Sequence, residues 1–217
     1  KTLTYGTGKT DKGQKNKMNT NIYISEIVAT RLSHDLIGNI GAVANAVELL
    51  NEGDEDDRED IGNILNFSSK VLSRRLKFFR LCFGMSNAAV KTTEELATVM
   101  QDYLLTLGNP NLPTTLALEI GTPKIYKLVM PAVMMMADTI VKGGKIAVKQ
   151  TDDALLVTAE SDAPLNKAKL ANIARVLDGG EAEENISSYA PLYYLLAYLG
   201  DSGVAVRLNG QTLVIGA

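Results

Sequence analysis

The sequence predicts an α+β protein: an N-terminal antiparallel helical hairpin, two copies of which would form a dimeric four-helix bundle, followed by an α/β sandwich. Three observations lead there. Up to about residue 88 apolar residues recur at helical spacing alone. Beyond it, helical and alternating segments mix. The chain then closes on the hairpin signal Asn209-Gly210 between two apolar runs.

Residues 1–19 are polar and read as a disordered leader or cloning remnant, with Met18 a candidate native start. They hold no apolar run of the kind a signal peptide needs. Gly6-Thr7-Gly8-Lys9-Thr10 imitates a phosphate-binding loop, but Leu3 stands where that loop needs its first glycine, and no strand precedes it.

The first helix is expected over 21–50, where Ile24, Val28, Leu32, Leu36, Ile40, Val43, Val47 and Leu50 form one stripe. Gly53 suits its stop, and the acids Asp54 to Asp57 suit the start of a second helix. That helix carries Ile61, Leu65, Ser68, Leu72, Leu76, Phe79 and Phe83. Two amphipathic helices joined by a short turn make a hairpin with a one-sided core, which a second copy would complete.

From residue 89 the expected order is helix 92–107, strand 115–120, helix 124–141 and strands 145–149 and 154–160. Helices 166–177 and 188–199 follow, then strands 204–208 and 212–215. Together they give a mixed sheet with helices on one face. The domains expected are therefore 20–88 and 89–217.

Composition narrows the function. With 217 residues, 46% hydrophobic and 22% charged, the chain reads as a water-soluble globular protein. A net charge of −3 supplies no basic field for nucleic acid. The single cysteine, Cys82, lies between Leu81 and Phe83 and reads as a small buried hydrophobe. Without a disulfide framework, the cytoplasm is the expected compartment. The longest apolar run, 128–141, is too short to cross a membrane and is interrupted by Pro131 and Asp138. Met134-Met135-Met136 within it reads as core filling.

His34 is the one histidine. At 100° per residue it points about 180° away from the apolar stripe, into solvent. Arg31, Gly38, Gly41 and Asn45 fall on the same side. Two glycines inside a helix cost about 1 kcal/mol each relative to alanine, which suits a surface that another protein approaches closely. Arg31 could meet a phosphoryl group or an acidic pocket there. A neutral imidazole is nucleophilic near neutrality and passes a phosphoryl group on readily. Asp35 either orients the ring or takes its proton, or is a flank carboxylate at the bundle edge. On composition and spacing alone, a lone exposed histidine is ordinary surface.

The run Ala29-Thr30-Arg31-Leu32-Ser33-His34-Asp35-Leu36-Ile37-Gly38-Asn39-Ile40-Gly41-Ala42-Val43, continued by Glu48-Leu49-Leu50, resembles the phospho-acceptor helix of the ChpT-type histidine phosphotransferases. The likeness extends over residues 22–217 through the order of elements. It implies a dimerisation and phosphotransfer hairpin followed by a domain similar to the ATP-binding domain of sensor histidine kinases. Three kinase boxes are missing. No asparagine lies in 129–138, Glu160-Ser161-Asp162-Ala163-Pro164 lacks the glycines of an Asp-x-Gly-x-Gly loop, and Ser187-Ser188-Tyr189-Ala190-Pro191 replaces the last glycine box. Gly38 stands where kinases carry threonine or asparagine and relatives often carry serine, which leaves phosphatase activity open.

The resemblance implies a homodimeric carrier that takes a phosphoryl group on His34 from the receiver domain of a hybrid sensor kinase. It would deliver that group to response-regulator receiver domains. It implies no intrinsic cofactor, with Mg²⁺ held by the partner receiver, and no metal ligands here. The alternatives are a non-catalytic dimeric scaffold and a divergent ATP-using histidine kinase.

Overall fold

The computed structural model describes residues 10–52, 57–85, 90–183 and 185–216, with backbone alone at 10–19 and 52. Gly53 to Asp56 and the Gly6–Lys9 stretch of the loop imitation lie outside the described residues.

Helix α1 spans Thr10–Glu52, 43 residues, and so begins well before the expected residue 21. No proline interrupts Thr10 to Thr20, and Lys12, Gln14, Lys15, Lys17 and Met18 are good helix formers, so the helix is free to extend through it. Part of the expected leader is therefore helical. Helix α2 spans Arg58–Cys82. Arg75, late in α2, reaches back to Asp35 in the middle of α1 and the two helices pack along one another, so the pair is antiparallel.

The hairpin buries Ile27 and Ala46 on α1 and Ile61, Ser68, Val71 and Phe78 on α2. The stripe predicted as core behaves differently. Ile24, Val28, Leu32 and Leu36 are half-buried along an open groove, and Ile40 and Val47 are 49% and 46% exposed. A two-helix layer covers one flank of each helix and leaves the other uncovered.

The α/β part follows the expected order with boundaries shifted by a few residues. It contains α3 (Thr93–Leu104), β1 (Thr114–Glu119), α4 (Tyr126–Ala137), β2 (Gly144–Gln150) and β3 (Ala154–Glu160). Then come α5 (Lys167–Leu177), α6 (Ala190–Leu199), β4 (Ala205–Asn209) and β5 (Thr212–Gly216). The sheet order is β1-β2-β3-β5-β4. Only β1 and β2 pair in parallel, and α4 makes the crossover between them. The closing hairpin differs in detail from its sequence signal: Asn209 is the last ladder residue, opposite Thr212, and Gly210 takes the turn at φ +61°.

The alternation of the strands sets the core. Ile146, Val148, Leu155, Val157, Ala159, Leu213 and Ile215 are buried on one face, against α4. Met134, Met135 and Met136 are fully buried there, as is Cys82 at the end of α2. Phe78 of α2 stacks on Tyr103 of α3 at 3.9 Å, which carries the same core into the hairpin. No helix among the described residues is long and apolar enough to cross a membrane.

Candidate functional site

His34 stands on the open side of α1 with 78% of its side chain exposed, as its angle from the stripe requires. Gly38 and Gly41 continue this surface, and a Cβ added at either would meet nothing within 4 Å. Asn45 is exposed farther along. These four sites line one unobstructed strip of helix.

Arg31 and Asp35 do not belong to that strip. Arg31 was expected beside His34 on the approach surface, yet it is 8% exposed. The boundary between covered and open surface passes between residues 31 and 34, because the end of α4 and the turn before α6 pack against this flank of α1. Arg31 Nε donates to Asp35 Oδ2 at 2.7 Å, one turn along the helix. Its Nη1 donates to Asp138 Oδ2 at 2.7 Å and to the Ser188 carbonyl at 3.1 Å, and its Nη2 donates to Asp138 Oδ1 at 3.1 Å. The planar fork thus meets one carboxylate with two nitrogens, the strongest geometry open to arginine.

Three further residues, Lys169, Arg75 and Thr106, complete the junction. Lys169 of α5 holds its Nζ 3.5 Å from Asp138 Oδ2 and donates to the Ser188 carbonyl at 3.4 Å. Arg75 donates through Nη1 to the Asp35 carbonyl, through Nε to Thr106 Oγ1 at 3.1 Å and through Nη2 to the Thr106 carbonyl at 2.9 Å. Burial works against the Arg31 charge, but the Asp138 carboxylate outweighs it and holds the guanidinium above its ordinary pKa. Burial lowers the Lys169 pKa, and Asp138 offsets part of that.

Asp35 joins the two regions. Its side chain is 15% exposed, and its Oδ1 lies 3.8 Å from His34 Nδ1 while its Oδ2 is taken by Arg31. The distance exceeds a hydrogen bond, but it places a carboxylate on the Nδ1 side of the ring. The other ring nitrogen, Nε2, is the one left for an incoming group. The hydroxyl of Tyr103, fully buried, has no hydrogen-bond partner among the described residues.

Sequence reasoning missed Asp138, Arg75, Thr106, Lys169 and Ser188. A signal existed for Asp138 alone: a carboxylate inside an apolar run requires a partner once the run is buried. Among the described residues, no cluster of three or more His, Cys, Asp or Glu could hold a metal ion.

On the flank of α1 away from His34 lies a groove of about 680 Å³. Val28, Leu32 and Leu36 of α1, Phe79 and Phe83 of α2 and Tyr194 and Tyr198 of α6 line it.

Comparison with known proteins places these features in a family. The model of the histidine phosphotransferase C-terminal domain matches residues 93–210, more than half of the chain. Protein phosphotransferase ChpT of Brucella abortus (strain 2308) is 25% identical over 193 residues, which cover 86% of this chain and 90% of that protein. A solved structure of a bacterial phosphotransferase superposes with a TM-score of 0.67 at 22% identity, covering 89% of this chain and 95% of the other.

Proposed function

The chain belongs to the histidine phosphotransferase family, and on that premise we propose that it is a phosphorelay carrier whose acceptor is His34. It takes a phosphoryl group from the receiver domain of a hybrid sensor kinase and gives it to the receiver domains of response regulators, without using ATP. The observation that carries this reading is a single imidazole, 78% exposed, on a helix face cleared by Gly38 and Gly41 and backed by one fixed carboxylate.

In the forward step the Nε2 lone pair attacks phosphorus and the aspartyl oxygen of the donor receiver leaves, so one P–O bond breaks as one P–N bond forms. Positive charge builds on the ring, and Asp35 on its Nδ1 side stabilises it and takes the Nδ1 hydrogen in a bond that shortens as the partner docks. The return step onto a second receiver reverses these roles. The receiver is expected to bring its own Mg²⁺, which shields phosphoryl charge during transfer. Gly38, Gly41 and Asn45 form the docking strip. Arg31, placed there by its sequence position, instead supports the strip from beneath.

The open groove supports a homodimer. A second copy seated against Val28, Leu32, Leu36 and Phe79 would convert the hairpin (20–88) into half of a four-helix bundle and leave both histidines outward. Residues 89–217 are then a kinase-ATPase-like domain without a nucleotide site. Supporting this, Val129 to Ala137 of α4, where a kinase needs nucleotide-facing asparagines, are all buried in the core. The compartment that fits these roles is the cytoplasm.

The test is incubation with a labelled, phosphorylated receiver domain, beside His34→Ala and an ATP-only control. Acid-labile label on the wild type alone, and none from ATP, is expected. Label from ATP would sink the carrier reading in favour of a kinase.

A further inference from the structure

We propose that Asp138, at the end of α4, is a positioning residue for phosphoryl transfer and acts on His34 through Arg31 and Asp35. The proposal rests on His34 being the acceptor. It adds that the α/β domain takes part in the chemistry at a residue it does not itself carry.

The path is continuous. Asp138 engages both Nη atoms of Arg31 at 2.7 and 3.1 Å. The fork is planar, so fixing its two Nη atoms also fixes the direction of Nε. Nε donates to Asp35 Oδ2 at 2.7 Å, which leaves Oδ1 turned toward His34 Nδ1 at 3.8 Å. Each carboxylate oxygen of Asp35 therefore has one assignment, the inner to Arg31 and the outer to the imidazole. Separations of this size commonly close when a partner engages.

The charged groups around Asp35 come from four elements: Arg31 on α1, Arg75 on α2, Asp138 after α4 and Lys169 on α5. Helix α3 adds the Tyr103 hydroxyl, and α6 adds no charge. Among the described residues Asp138 is the one carboxylate that holds Arg31 from the side opposite Asp35, and it takes both Nη atoms, whereas the Ser188 carbonyl takes a single bond from Nη1. Without Asp138, Arg31 keeps only the single neutral bond to the Ser188 carbonyl, its charge turns toward Asp35, and the outer oxygen of Asp35 is drawn from the ring. Asp138 itself is 13% exposed and off the docking strip, so it acts on the transfer step rather than on receiver affinity.

The test uses the full chain, with phosphoramidate as donor, so that no protein partner enters the result. The imidazole displaces ammonia from phosphorus, one P–N bond replacing another. Asp138→Asn, close in size, is expected to slow phosphorylation of His34 about tenfold or more. Arg31→Lys, which keeps the charge and loses the fork, is expected to do the same and covers the case in which the first variant does not fold. Asp35→Asn combined with Asp138→Asn should be no slower than Asp35→Asn alone. Because His34 is the only histidine, its ring nitrogen signals are unambiguous in NMR. They should report the Nδ1-protonated tautomer in the wild type and a mixture of tautomers in Asp138→Asn. Wild-type rates and tautomer in folded Asp138→Asn, or losses that multiply in the double variant, would overturn the proposal. A wild type left unlabelled by phosphoramidate and by every phosphorylated receiver domain overturns the acceptor assignment as well.

Discussion

Arg31 and Asp138, 107 positions apart in sequence, meet as a two-pronged ion pair that joins the helical hairpin to the sheet domain. Both side chains are nearly buried, 10% and 13% exposed. Removing one partner of such a pair leaves an uncompensated charge inside the protein. Asp138→Ala should therefore lower stability in urea by about 3–5 kcal/mol. The double variant Arg31→Met/Asp138→Leu, which removes both charges, should lose clearly less. Equal losses in the two would mean that the pair stabilises more than its own desolvation costs.

Tyr103 presents the opposite situation. Its ring stacks on Phe78 at 3.9 Å, while its hydroxyl is buried with no partner among the described residues. An unsatisfied buried hydroxyl costs about 1–3 kcal/mol. Tyr103→Phe keeps the stack and removes that cost, so it should raise Tm by about 2–4 °C, the response to roughly 1 kcal/mol in a chain of this size. A lowered Tm would show that the hydroxyl is held by a group not yet identified.

Tyrosines also set the alkaline limit of the fold. Burial raises the pKa of Tyr103 above 10.0 and that of Tyr194 to about 12. A group whose pKa is raised by folding keeps its proton in the native state while the unfolded chain gives it up. Its contribution is complete below pH 10 and falls as pH rises through about 12. The urea midpoint should thus be lower at about pH 11 than at about pH 9, with part of the tyrosinate absorbance appearing only on unfolding. Tyr194→Phe should shallow that decline.

The groove makes a hydrodynamic prediction. Val28 is half-buried in its wall, and a carboxylate there would meet Leu32, Phe79 and the apolar flank of any second copy. Val28→Glu should convert a dimer to a monomer by sedimentation while leaving the folded helical content in place. A wild type that sediments as a monomer at every concentration would remove the four-helix bundle from the account.

Much of this was legible in the sequence because it depends on local periods. The strands follow the alternation of Ile146 with Val148 and of Leu155 with Val157, and the outward direction of His34 follows from its angle to Val28 and Leu32. The site was legible only in part. Arg31 lies on the same side of α1 as His34 by angle, and nothing in a helical wheel announces that α4 ends against that flank. Asp138 looked like a flaw in an apolar run, whereas it is the anchor of the junction. Such facts belong to contacts across more than a hundred residues, which no local period encodes. The half-open stripe has a related cause: periodicity identifies the apolar flank of a helix but not how many layers will cover it.

The junction also bears on how far the chain can be taken apart. Severed between Cys82 and Thr93, the hairpin would retain Arg31 without Asp138 or the Ser188 carbonyl, and Arg75 without its anchor at Thr106. The remaining fragment would keep Asp138 with only Lys169 to balance it. Each half would carry a torn charge cluster on what had been an interior surface. The two stretches are therefore poor candidates for exchange between paralogues or for fusion as interchangeable cassettes, and recombination in this lineage should favour crossovers that keep residues 31, 35, 75, 106, 138 and 169 of one parent together.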